Sequence, residues 1–107
     1  EVTLDVDEEA RSLPTALQLT IYRVVQEALT NVIRHSGARV ARVSVRARPE
    51  AVHVEVIDDG AGSTTPAGHG LLGMSERVAM QGGTLDVGSL RDKGFRVAAT
   101  FPIAEAS

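Results

Sequence analysis

Two neighbouring carboxylates, Asp58 and Asp59, close an alternating apolar run. They open a stretch punctuated by Gly60, Gly62, Gly68, Gly70 and Gly73. Along "AVHVEVID" (51–58), Val52, Val54, Val56 and Asp58 share one parity. In a strand, that parity points the aspartate to the same side as the three valines. A core-facing carboxylate is costly without a donor. The donor belongs either to the protein, as in a turn or helix cap, or to a ligand. Gly60 and Gly62 let the chain turn sharply and leave room for a ligand beside the backbone. Further on, "GHGLLGM" (68–74) opens a helical pattern. A helix N-terminus presents free N–H groups suited to phosphate. Alone, a Gly-x-Gly before a helix is a weak signal, and a capped surface loop reads the same way.

A second group of candidates precedes these. Glu27, Asn31 and then Arg34 or His35 follow one another at spacings of four and of three or four. Such spacings place them on one helix face. A carboxylate, an amide oxygen and a cation in a row suit Mg2+ and phosphate together, because Mg2+ takes oxygen ligands and only one or two from protein. For this helix taken by itself, an ordinary polar face is the better account.

The elements that must position these residues follow from periodicity. "VTLDV" (2–6) alternates and predicts a half-buried strand. Residues 7–14 are a polar connection. From Pro14 to about His35 the period becomes helical, with Leu17, Ile21, Val24, Val25, Ala28, Leu29, Val32 and Ile33 as a broad apolar face. Pro14 suits a first helical turn, and Ser36-Gly37 supplies a stop. "ARVSVRAR" (41–48) and residues 51–58 alternate on either side of Pro49-Glu50, which predicts an antiparallel hairpin. Residues 71–81 read as a second helix with Leu71, Met74 and Val78 on one face, ended by Gly82-Gly83. "TLDVGS" (84–89) and "FRVAATF" (95–101) form a second hairpin. The order predicts an α+β fold, a two-layer α/β sandwich with a mixed, mostly antiparallel sheet and helices on one face. The Arg42, Arg46 and Arg48 stripe fits the solvated sheet face.

Composition narrows the function classes. The chain has 107 residues, a net charge of −3 and no cysteine. One domain of residues 1–107 is expected. The absence of a basic block argues against nucleic acid. Without cysteine there is neither a disulfide nor a thiolate metal site. No run has the length of a membrane span. The opening "EVTLDV" lacks an initiator Met, so a fragment of a longer protein is expected.

In order and spacing, "EALTNVIRH" (27–35), "DDGAG" (58–62) and "GHGLLGM" (68–74) resemble the N, G1 and G2 boxes of the GHKL, or Bergerat-fold, ATP-binding domains. The resemblance extends from the first strand to "ATFPI" (99–103). It is strongest to the catalytic domain of sensor histidine kinases of the DesK/NarX-like branch, of which "GLLGMSERV" is typical. It implies Mg-ATP as ligand. Asp58 would accept the adenine amino group, and Gly60 and Gly62 would let the backbone pass the base. Asn31 would hold Mg2+, and Glu27 matches the general-base position. Arg34 and His35 would lie near the phosphates. Residues 63–69 would form the lid. Gly68, His69, Gly70, Leu71 and Leu72 would line the lid and the phosphate-facing helix start, while Met74 would pack toward the nucleotide or the core, of which the core is the better account.

One position departs from the pattern: Phe95 follows Gly94 where the family usually carries threonine. The ring either walls the base pocket or weakens nucleotide binding. In the family, the phosphorylated histidine sits on a separate dimerisation domain and a NarL-type response regulator receives the phosphoryl group. The three histidines here, His35, His53 and His69, lie on the N-box helix, a solvated strand face and the lid. Isolated autophosphorylation is therefore not expected. The implied location is cytoplasmic, in a full-length protein either soluble or membrane-anchored. Another GHKL kinase and a non-catalytic nucleotide-binding or docking module are the alternatives.

Overall fold

The computed structural model describes residues 2–32, 40–60, 69–89 and 94–103. Five strands and two helices follow in the order β1 (Val2–Val6), α1 (Thr15–Asn31), β2 (Ala41–Ala47), β3 (Ala51–Asp58), α2 (His69–Met80), β4 (Thr84–Ser89) and β5 (Phe95–Pro102). A 3-10 turn, Glu8–Ser12, occupies what the sequence presents only as a polar connection. The sheet order is β1-β2-β3-β5-β4. Both expected hairpins form, and β1 pairs with β2 in parallel.

A parallel pair needs a crossover, and α1 supplies it. Pro14 stands just before the helix in extended conformation, and its carbonyl accepts the first helical bond from the Gln18 N–H. The Gln18 amide also donates to the carbonyls of Leu13, at 2.7 Å, and Arg11, which fastens the 3-10 turn to the helix start. Leu17, Ile21, Val24 and Ala28 recur at helical spacing and are buried. They meet Val43, Val45, Val52, Val54, Val56, Val97, Ala99 and Phe101 from the sheet, with Met74 and Val78 from α2. The core is thus aliphatic around one phenylalanine.

Helix α2 ends where two glycines are required for different reasons. Gly82 has φ of +75°, the left-handed conformation of a helix stop. Its N–H reaches the Ala79 carbonyl, and the Gly83 N–H reaches that of Val78, both at 2.9 Å. This is the paired-bond pattern of a Schellman terminus. A Cβ on Gly83 would stand 2.6 Å from the Thr100 carbonyl oxygen and 2.8 Å from Phe101 Cδ1. The close approach seats the end of α2 directly on β5.

The outer sheet face is solvated, and three of its arginines, Arg46, Arg48 and Arg96, are paired. Arg46 bridges Asp5 and Asp7, and Arg48 meets the same Asp7 at 3.0 Å. Asp7 also accepts the Ala47 N–H, and this bond, opposed by some desolvation and helped by both arginines, holds its carboxyl below the usual value. Arg96 bonds Glu55 and lies 3.5 Å from Asp86.

Strand β1 corrects the sequence reading. All five residues are exposed, including Val2, Leu4 and Val6, so the strand is not half-buried. It is the sheet edge, and its apolar side lies beyond the buried helix layer. Helix α2 also starts two residues before the expected Leu71, so His69 and Gly70 belong to the helix. No helix among the described residues is long and apolar enough to cross a membrane.

Candidate functional site

The topology collects the candidate elements at one end of the sheet. Strand β1 runs toward Val45 and α1 returns, so the C-terminal turn of α1 faces the end where β2 begins at Ala41. Ala41 pairs with Asp58, the last residue of β3, and Asp58 pairs on its other side with Phe95, the first of β5. Helix α2 ends against Thr100 and Phe101, at the far end of β5. With 12 residues it is about 18 Å long, enough to bring its N-terminus back to the Phe95 end. The end of α1, the end of β3, the start of β5 and the start of α2 therefore share one edge.

Asp58 lies where parity places it, on the inner side with Val56, Val54 and Val52. It is 4% exposed and is the sole buried charged residue among the described ones. Its Oδ1 accepts the Gly60 N–H at 2.7 Å. This turn bond meets part of the carboxylate's demand. No other donor among the described residues reaches the group. Burial pushes the carboxyl above its ordinary value, the Gly60 bond opposes the shift, and the charge of Asp59 adds to it.

Glu27 and Asn31 are half-buried on α1, one turn apart. They flank Ala28, which anchors that turn in the core. Neither side chain hydrogen-bonds a described residue. They lie at the helix end that faces the Asp58 edge, and their oxygens are a donor set that fits a hard divalent cation sharing its shell with phosphate and water. Gly60 is buried beside Asp58. Met74 is buried in the core, as expected. His69, Gly70, Leu71 and Leu72 form the first turn of α2. Arg34, His35, Gly62 and Gly68 lie outside the described residues, as does most of the expected lid.

Two residues gain meaning only from the structure. Phe95 is partly buried, packs against the core and stands directly across from Asp58 on the same side of the sheet. Residues opposite in an antiparallel pair have Cβ atoms about 4.5–5.5 Å apart, so the ring borders the carboxylate. Asp59 reaches back to Val40, 19 residues earlier; the sequence offers no local sign of that contact.

Residues 16–105 match the family described as histidine kinase-, DNA gyrase B-, and HSP90-like ATPase. The chain belongs to this family. It is 41% identical over 93 residues to the sensor histidine kinase LnrJ of Bacillus subtilis (strain 168), covering 86% of this chain and 23% of LnrJ. The sensor histidine kinase YxjM of the same organism is 38% identical over 94 residues, with the same shares covered. The chain thus spans about a quarter of the length of these curated relatives. Among solved structures, the blue-light activated histidine kinase of Erythrobacter litoralis EL346 superposes with a TM-score of 0.81 at 23% identity, over 95% of this chain and 35% of that one. The fold is that of the histidine kinase ATPase domains, the Bergerat fold. The chain is thus an ATP-binding domain of the sensor histidine kinase type.

Proposed function

We propose that this chain is the catalytic domain of a two-component sensor kinase of the DesK/NarX-like branch. In this reading, it binds Mg-ATP and passes the γ-phosphoryl group to a histidine on a separate dimerisation domain, from which a NarL-type response regulator takes it. The observation that carries the reading is Asp58, buried to 4% exposure with a carboxylate oxygen lacking a donor among the described residues. The exocyclic amino group of adenine is a donor of the right kind. Asn31 holds Mg2+ through its amide oxygen, and Glu27 takes the proton from the attacking imidazole. Gly60 and Gly62 pass the base. Arg34, His35 and the segment from Gly68 through His69 and Gly70 to Leu71 and Leu72 serve the phosphates and lid. When bound, Mg2+ neutralises charge on the phosphates. The domain itself works by position and electrostatics. The location is cytoplasmic.

Phe95 favours a second reading. A ring beside the base-reading carboxylate, where relatives of the pattern carry a hydroxyl, suits a module that holds nucleotide weakly and does not transfer phosphate. Transfer of labelled γ-phosphate to the supplied dimerisation domain, with release of ADP, separates the two. Mg-dependent labelling supports the kinase; nucleotide binding with no labelling supports the module.

The raised Asp58 carboxyl has a consequence for pH. A folded value above the unfolded one means that the folded apo domain holds this proton more tightly. Ionising Asp58 therefore costs the apo domain stability as pH rises from 3.8 through the raised value. The adenine amino group needs the ionised form, so nucleotide affinity is expected to fall as pH drops through that window. Asp58→Asn removes this component. Titrating both proteins with the same nucleotide from neutral pH downward checks it, since ionisation of the phosphates affects both alike.

A further inference from the structure

We propose that Asp59 is a positioning residue: its side chain completes the last rung between β2 and β3 and so aims Asp58 at the base while the backbone leaves the sheet. The inference rests on the nucleotide-site reading above. In an antiparallel ladder, a hydrogen-bonded pair exchanges two main-chain bonds. At the end of β3 only one of them is main chain to main chain. The Asp59 N–H donates to the Val40 carbonyl at 3.2 Å. The return bond runs from the Val40 N–H to Asp59 Oδ1 at 3.1 Å. A side chain thus stands in for a peptide carbonyl.

One residue earlier, Asp58 still pairs with Ala41 in regular register. One residue later, the Gly60 N–H has already turned back onto Asp58 Oδ1. The change from strand to turn is completed within two residues, with one acceptor from each aspartate. Without the Asp59 rung, the strand end is held to β2 by a single bond, and the Asp58 χ1 direction is set by the turn alone. The rung also closes on residue 40, where the chain returns to the sheet after α1. It therefore joins the start of β2 to the turn bearing Asp58. Asp59 is itself exposed, so no core packing depends on it, and an acceptor at its Oδ1 position is what the geometry requires.

The test uses Asp59→Ala, Asp59→Asn and Asp58→Ala, each titrated with Mg-ATP and with Mg-inosine triphosphate, which carries an oxo group in place of the amino group. The native chain is expected to prefer ATP. Asp59→Ala is expected to lose about 3- to 10-fold of its ATP affinity, the range of one hydrogen bond, and little of its inosine triphosphate affinity, so the preference collapses. Asp59→Asn keeps the acceptor and is expected to restore affinity and preference. If the alanine variant does not fold, Asp59→Glu, which displaces the acceptor by one methylene, is expected to show the same collapse. An unchanged preference in Asp59→Ala, or an asparagine variant no better than alanine, overturns the proposal. A native chain without preference for ATP, or one whose preference survives Asp58→Ala, overturns the nucleotide-site reading itself.

Discussion

Glu27→Gln is expected to bind Mg-ATP within about two-fold of the native chain and to lose roughly 10²- to 10⁴-fold in phosphoryl transfer to the acceptor histidine, the usual reach of general-base catalysis. The two side chains have nearly the same shape, and Glu27 hydrogen-bonds no described residue. The substitution therefore removes the ability to take a proton without opening a cavity or stranding a partner. Its backbone is fixed by Ala28, which is buried against the sheet. Single-turnover transfer at saturating ATP reads chemistry alone, and parallel titration reads binding. Transfer at the native rate would make Glu27 part of the polar helix face and leave the proton to another group. A matching loss of binding would place it on the nucleotide instead.

Phe101→Ala is expected to cost about 3–5 kcal/mol of folding stability, as for other buried phenylalanines. Domains hold only about 5–15 kcal/mol in total. Phe101 is fully buried, pairs with Val52 across the strands and lies under Gly83, whose missing Cβ is what lets α2 close over the ring. No other aromatic side chain is available to fill the space. At roughly 4–8 °C per kcal/mol for a domain near this size, the melting temperature should fall by about 12–40 °C. Leu4→Thr, on the exposed edge strand, should change stability by no more than about 0.5 kcal/mol. Thermal melts of the two variants side by side test where the core lies. A comparable loss in both would contradict the burial described here.

Much of the site was legible because it depends on local parity. Alternation in residues 51–58 fixed the side on which Asp58 lies, and four-residue spacing put Glu27 and Asn31 on one helix face. The glycine pair after Met80 signalled a helix end. Other features depend on partners distant in sequence. Alternation in β1 reads the same whether or not a helix covers the strand, so its exposure follows only from its place at the sheet edge. Gly83 reads as a stop signal, yet its requirement comes from Thr100 and Phe101. The rung from Asp59 to Val40 and the Asp5–Arg46 pair join residues 19 and 41 apart. Phe95 appeared as an isolated departure from a motif, and the register shows that it stands across from Asp58.

The most direct test of the nucleotide site is calorimetric titration of this chain with ATP and ADP, with and without Mg2+, beside Asp58→Ala. The predicted result is saturable binding by the native chain, weakened roughly 10- to 150-fold in the variant, as expected for loss of a hydrogen bond to a charged acceptor. A folded native chain that binds neither nucleotide, or a variant that binds as tightly, would contradict the assignment of Asp58 to the base.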